Sequence, residues 1–115
     1  METSRVRMTL RWQVASGEAA SITTALQTLM VRTRAEPGCT GCSLSTDLGA
    51  RSEVRYVAEW RTEVDLQRQI RSSDFARLAE LMEHATSPPT IEFTLPAGSR
   101  GLDYAEQVRR QSTPG

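Results

Sequence analysis

Two cysteines in the segment EPGCTGCSL are the first residues whose types and spacing could do chemistry. Cys39 and Cys42 have the Cys-x-x-Cys spacing found in redox and metal sites. A reactive pair normally lies at a helix N-terminus, whereas Pro37-Gly38 indicates that a helix ends here and a strand begins. On a strand, residues three apart point to opposite faces. The pattern favours two small apolar fillers, and a disulfide or redox switch stays open as the alternative.

The composition excludes several other chemistries. All 14 basic residues are arginine, so there is no lysine for a Schiff base or a phosphate-binding loop. His84 is the single histidine, and with the two cysteines it gives few and scattered metal ligands. A Gly-x-Gly-x-x-Gly loop for a dinucleotide is absent from the sequence. We therefore expect no cofactor and no resident metal ion.

Length and charge limit the range of partners. The 115 residues correspond to one domain, and 14 basic residues balance 14 acidic ones. A nucleic-acid-binding protein would show a basic excess, so no nucleic-acid partner is expected. The sequence has no apolar run of about 18 residues and no apolar segment of a signal peptide at its start, so we expect no membrane partner and a cytoplasmic location.

Apolar residues that alternate with polar ones predict strands, and apolar residues that recur at helical spacing predict helices. These elements must position any site. Residues 5–14 alternate apolar and polar residues, which predicts a strand with one apolar face. A helix should follow, with Ser16 as a possible N-cap, and end at Pro37-Gly38. Two strand-like runs joined by LGARSE predict a hairpin. TEVD resembles a capping box, and after it RSSD breaks the helical pattern, with Ser73 as a possible new N-cap.

The closing segment TIEFTL alternates again and completes a β-α-β-β-α-β order. This order predicts an α+β, ferredoxin-like domain over residues 5–97, with an antiparallel sheet and both helices on one face. Residues 98–115 should form a tail with a short helix and a disordered end. The other sheet face would be exposed in so small a domain, so we expect a homodimer through this face.

Three segments resemble the antibiotic biosynthesis monooxygenase family of small dimeric α+β barrels. These are AEPGCTGCSLSTD, VRYVAEWRTEVDLQRQIRSSDF and PPTIEFTL, and the resemblance covers residues 6–97. Some members oxidise quinols, anthrones or related phenols with O2 and no cofactor. The resemblance therefore implies a small aromatic substrate and O2 as partners. Haem-degrading relatives carry a helix Trp and a His that this sequence lacks, which argues against that activity.

The resemblance implies one site residue, and further candidates come from the residues themselves. Trp60 matches the Trp that ends the family's third strand and lines its site. In a polyketide-oxidising member, an Asn and a Tyr stand where this chain has Tyr56 and Leu66, so those roles do not transfer. Tyr56 shares a face with Trp60 and offers its own O–H, although both residues could simply be core aromatics.

His84 is the third catalytic candidate, as an acid–base group, or else a surface residue at a helix C-terminal end. The predicted substrate pocket lies between the apolar sheet face and the helices, and its lining comprises Trp12, Met30, Leu66, Phe75 and Met82. Trp12 could equally serve only in packing. Two functions stay open: a cofactor-independent monooxygenase acting on a quinol, anthrone or polyketide-type phenol, and a non-catalytic ligand-binding or structural dimer of the same fold.

Overall fold

The computed structural model describes residues 6–48 and 52–111. Its elements follow the predicted order, include the short helix expected in the C-terminal segment, and add one short strand before it. They are β1 (Val6–Val14), a 3-10 turn (Ser16–Glu18), α1 (Ala19–Arg34), β2 (Cys39–Leu48), β3 (Ser52–Trp60), α2 (Glu63–Ile70), α3 (Ser73–Met82), β4 (Thr90–Leu95), β5 (Gly98–Arg100) and α4 (Leu102–Gln111). The strands form one antiparallel sheet in the order β2-β3-β1-β4-β5.

The alternation in β1 and β3 divides the sheet into two unlike faces. On β1 the inward residues are at most 3 % exposed, and their list is Val6, Met8, Leu10, Trp12 and Val14. Their partners on β3 are also buried, with Val6 opposite Trp60 and Leu10 opposite Tyr56. We call this helix-covered side the inner face. The other side, the open face, carries Arg7, Thr9, Arg11, Arg55, Val57, Glu59 and Glu92.

Each helix covers the inner face through a short apolar stripe. In α1 the buried positions are 22, 26, 29 and 33, a helical spacing that continues to the last turn. The predicted capping box is confirmed, because the Thr62 hydroxyl accepts a hydrogen bond from the Asp65 amide at 3.1 Å. The N-cap of α3 is Ser72 rather than Ser73, since the Ser72 hydroxyl accepts from the Phe75 amide. Ser16 lies in a 3-10 turn that leads into α1.

The connection from α1 to β2 corrects the prediction for the two cysteines. Gly38 has a φ of 88°, and a side chain there would collide with the Asp65 carboxylate, so glycine is required. A bulge follows between Cys39 and Gly41, and the register then places Cys39 opposite Trp60 and Cys42 opposite Ala58. Both cysteines therefore fall on the inner face. The expectation of opposite faces is wrong because a bulge adds one residue to the strand.

The C-terminal segment packs on its own chain. β5 pairs with the end of β4, and α4 buries Tyr104, Ala105 and Val108 against α2 and β4. The Tyr104 hydroxyl donates to Glu63 at 2.7 Å, and the Arg109 side chain donates to the Ile70 carbonyl at 2.6 Å. These bonds join α4 to both ends of α2. The expectation of a disordered end concerned residues 111–115. Gln111 is instead the last residue of α4, and residues 112–115 lie outside the described residues.

The fold is α+β and ferredoxin-like, as the sequence pattern predicted. Among the described residues, the helices are too short or too polar to cross a membrane. The apolar core lies in one layer between the sheet and the helices. Any chemistry on the inner face must therefore take place inside this layer or at its edges.

Candidate functional site

Trp60 ends β3 on the inner face, where β1 begins and β2 enters the sheet. It stands opposite Val6 on one side and Cys39 on the other, and it is 4 % exposed. Its indole nitrogen Nε1 is buried and has no hydrogen-bond partner among the described residues. A buried N–H without an acceptor is costly, because it has lost its bonds to water and gained none in return. Such a donor is a physical reason to look for an acceptor that binds here.

Trp12 repeats this feature at the opposite end of the sheet. It lies opposite Val54 and is 2 % exposed, and its Nε1 also lacks a partner. Val54 and Trp60 stand six positions apart on β3. At roughly 3.4 Å per residue, their Cα atoms are separated by about 20 Å. The two indole groups therefore belong to two separate places in the core.

Tyr56 lies between the two tryptophans and is fully buried. Its hydroxyl is 3.1 Å from the hydroxyl of Thr33 in the last turn of α1, and it also interacts with the thiol of Cys42. Burial, and then the Cys42 thiol, raise the pKa of Tyr56 above its ordinary value. The phenol therefore stays neutral at physiological pH, and it ties α1 to the sheet.

The predicted lining residues are part of the same core layer. Leu66, Phe75 and Met82 are buried, and Met30 is partly buried against the core cluster. They come from three helices, since Met30 lies on α1, Leu66 on α2, and Phe75 and Met82 on α3. The fold thus brings Trp60, Tyr56 and these side chains into one cluster of buried residues.

His84 lies apart from that cluster, in the turn after α3. Its side chain is 54 % exposed, and its Nδ1 is 3.6 Å from the Glu18 carboxylate. The next residue, Ala85, forms an isolated bridge with Val14 at the end of β1. His84 is therefore near the Trp12 end of the sheet, and the fold does not bring it to Trp60.

Comparison with known proteins identifies the family. Residues 5–81 match the antibiotic biosynthesis monooxygenase family, which is more than half of the chain. The chain belongs to this family. Membership supports a monooxygenase-like function in general terms and leaves the substrate open. No curated protein matches the sequence at a significant level.

Solved structures of low sequence identity share the family fold. A conserved protein from Methanosarcina mazei is 21 % identical with a TM-score of 0.71, covering 81 % of this chain and 93 % of that one. Rv0793 from Mycobacterium tuberculosis is 21 % identical with a TM-score of 0.69, covering 81 % and 95 %. A crystal structure of an antibiotic biosynthesis monooxygenase is 18 % identical with a TM-score of 0.67, covering 76 % and 94 %.

The open face of this monooxygenase-family domain carries charges in rows across the strands. Arg11 lies directly opposite Arg55, and Asp47 lies directly opposite Glu53 on the neighbouring strand pair. Like charges at directly opposed positions are unfavourable. Neither arginine makes an ion pair within the described residues. One basic row and one acidic row thus lie side by side on the same face.

Within residues 6–48 and 52–111, three surface recesses are lined entirely by described residues, and neither Tyr56 nor Trp60 lines any of these three. One of about 340 Å³ lies on the open face beside Arg7 and Glu59, and another of about 340 Å³ lies between α1 and α3 beside Arg32 and Asp74. The third, of about 610 Å³, lies between α1 and the outer end of the β2–β3 hairpin. Its lining, which we call the hydroxyl recess, is Ser16, Ala19, Ala20, Thr23, Thr24, Gln27, Thr46 and Ser52.

Sequence reasoning missed two polar features of the family domain. Thr33 was not predicted as the partner of Tyr56, although it extends the stripe of Leu26 and Leu29 by one helical step. The hydroxyl recess was also missed, since its residues come from four elements: the 3-10 turn, α1, β2 and β3. A signal for it was present in Thr46 and Ser52, which place hydroxyl groups where the alternation of β2 and β3 points inward.

Proposed function

We propose that this protein is a cofactor-independent monooxygenase that oxidises a small electron-rich aromatic compound, a quinol, anthrone or polyketide-type phenol, with O2. Family membership supports the reaction class. The observation that carries the proposal is the buried Nε1–H of Trp60, for which the described part of the chain supplies no acceptor. Such a group is suited to donate a hydrogen bond to the oxygen of a bound phenol or enol.

The proposed reaction requires only a few contributions from the protein. An ionised phenol or enol can pass an electron to O2 directly, so the site has to bind the substrate, exclude water and stabilise the oxyanion. For an anthrone, one atom of O2 enters the ring CH2 carbon as a carbonyl oxygen. The other oxygen atom leaves as water with the two hydrogens of that carbon. The Trp60 N–H stabilises the oxyanion, and the apolar core to which Trp60 and Leu66 belong, with Met30 packed against it, keeps the site dry.

Replacement of Trp60 by phenylalanine tests the donor, because a six-membered aromatic ring is kept while the N–H and the five-membered ring that carries it are lost. We expect O2 consumption on a quinol and anthrone panel to fall about a hundredfold, the typical effect of removing one oxyanion donor. Phe93→Leu is the control for core damage, since Phe93 is buried on β4 and carries no N–H. Metal-free and flavin-free protein is compared with heat-denatured protein, because such substrates autoxidise.

The outcome of this assay is decisive for the donor assignment. Loss of turnover in Trp60→Phe with activity retained in Phe93→Leu supports the proposal. Equal losses in both variants, or full activity in Trp60→Phe, would contradict it. Loss in Trp12→Phe with no loss in Trp60→Phe would move the substrate to the other end of the sheet.

A ligand-binding protein without turnover is the second candidate, and specific observations favour it. The Tyr56 hydroxyl is engaged by Thr33, and His84 lies away from Trp60. The two catalytic candidates other than Trp60 are therefore occupied or distant. Saturable binding of a naphthol or anthraquinone without protein-dependent O2 consumption would establish this alternative.

We also propose that two copies pack through their open faces. The support is charge complementarity, because a two-fold arrangement can place the acidic row with Glu53 over the partner's basic row with Arg11 and Arg55. Arg55→Glu should then shift the protein toward monomer in sedimentation velocity. Arg110→Glu, at an exposed position of α4, should leave the oligomeric state unchanged. A dimer that survives Arg55→Glu, or a wild-type monomer, would refute this interface. A cytoplasmic location stays a proposal of the same kind.

A further inference from the structure

The hydroxyl recess lies apart from the Trp60 end of the core. One wall is the N-terminal half of α1 with the 3-10 turn before it, and the other wall is Thr46 on β2 and Ser52 on β3. Ser52 stands opposite Val14, two positions beyond the pair of Val54 and Trp12. The recess is therefore at the end of the sheet far from Trp60.

The recess exists because both of its walls carry short side chains. On α1 the large apolar residues Ile22 and Leu26 point into the core, and the flank next to them has Ala19, Ala20 and Thr23. On the sheet, the wall of the recess is formed by Thr46, which pairs with Val54, and by Ser52, which pairs with Val14.

Ser52 is the most informative residue of the lining. It is 5 % exposed, and its side chain makes no hydrogen bond with the described residues. Its hydroxyl oxygen is not one of the fully buried polar atoms that lack a partner, so it faces the open space of the recess. Ser52 keeps its donor and acceptor capacity for whatever occupies the recess.

The chemistry of the lining points to one class of ligand. Six of the eight lining residues carry a hydroxyl or an amide, and none is charged or aromatic. Such a surface offers donors and acceptors to neutral hydroxyl groups, and it offers no counter-charge to an ion. The volume of about 610 Å³ lies in the ordinary range for small-molecule sites. We propose that the hydroxyl recess binds an uncharged polyhydroxylated molecule of sugar size, at a site separate from Trp60.

The test is a titration of the full ¹⁵N-labelled chain with glucose, followed by amide chemical shifts. Glucuronate, which has the same ring with a carboxylate, is the matched probe for charge. Ala20→Trp fills the recess from an exposed position, and Ser21→Trp places the same side chain on the neighbouring exposed position outside the lining. Ser52→Ala removes the buried hydroxyl with little change in volume. Circular dichroism confirms that each variant is folded.

We expect saturable shifts confined to the lining with glucose and none with glucuronate. Binding should be lost in Ala20→Trp and kept in Ser21→Trp, and Ser52→Ala should weaken it about fivefold, the value of one neutral hydrogen bond. The proposal is overturned by the absence of saturable shifts across the millimolar range, by glucuronate binding as well as glucose, or by equal binding to both tryptophan variants. Because this experiment does not measure oxygen consumption, its failure leaves the proposal for Trp60 untouched, and the reverse also holds.

Discussion

The hydrogen bond between Tyr56 and Thr33 should contribute to stability, and a double-mutant cycle measures that contribution. The two hydroxyls are 3.1 Å apart, and both residues are at most 1 % exposed. Tyr56→Phe removes one neutral hydrogen bond and leaves the Thr33 hydroxyl buried without it, at a cost of about 1–3 kcal/mol. Thr33 can turn to the carbonyl four residues earlier in α1, so we expect the low end, about 1.5 kcal/mol.

The matched variant Thr33→Val breaks the same bond from the other side with almost the same shape. It leaves the Tyr56 hydroxyl with the Cys42 thiol, a weak partner, so a similar cost of about 1.5 kcal/mol is expected. Replacing both partners by apolar groups leaves no stranded hydroxyl, and the double variant should cost clearly less than the sum of the single ones. The expected coupling is about 1 kcal/mol.

Urea unfolding at several protein concentrations measures the free energy of unfolding of the four proteins, since association would make it depend on concentration. Strict additivity of the two single changes, or single costs below about 0.5 kcal/mol, would refute the bond as a stabilising contact. The same variants separate structure from chemistry. If Tyr56→Phe consumes O2 at the wild-type rate per folded molecule, its hydroxyl has no chemical role.

Three further predictions concern the cap of α3, the docking of α4 and the cysteines. Ser72→Ala should lower the free energy of unfolding by about 1 kcal/mol in urea, the usual value of an N-cap, and an unchanged midpoint would contradict the cap. Burial, and then Glu63, raise the pKa of Tyr104 to about 12, so the stability it contributes is complete below pH 10 and is lost as the pH rises toward 12. Tyr104→Phe should reduce the decrease of the melting temperature between pH 10 and pH 12. An unchanged decrease would contradict the role of Tyr104 in it. Burial raises the pKa of both thiols, so Cys39 and Cys42 should react with iodoacetamide more slowly at pH 7 than a free thiol, and fast labelling by mass spectrometry would argue for a reactive pair.

The architecture could be predicted because each long element buries one side. Alternation in β1 and β3 and the stripe in α1 are properties of the local sequence, and the structure confirms their inward residues. β5 was not predicted, because Gly98–Arg100 is too short to show an alternation and is a strand only through its pairing with β4. The two cysteines were assigned to the wrong faces for a related reason, since a bulge depends on the partner strand.

The site could be predicted only in part, because hydrogen-bond partners are set by tertiary structure. Resemblance placed Trp60 on the inner face, but nothing local to the sequence says that its N–H lacks an acceptor. The hydroxyl of Tyr56 was considered for chemistry, and the packing of α1 gives it Thr33 as a partner. Residue type predicts what a side chain can do, and its neighbours determine whether it is free to do it.

Whether the protein catalyses oxidation or only binds its ligand depends on how the bound phenol loses its proton. A phenol held at Trp60 must lose a proton before it passes an electron to O2, yet Tyr56 is neutral and hydrogen-bonded, and His84 lies near the other end of the sheet. A hydrogen bond from the Trp60 N–H to the charged form lowers the pKa of the bound phenol. If the proposed function holds, we expect turnover of compounds that already ionise near neutral pH, because the Trp60 N–H stabilises the anion that forms in water. Less acidic phenols of the same shape would bind and stay unreacted, so one site can behave as a catalyst for the first group and as a binding site for the second.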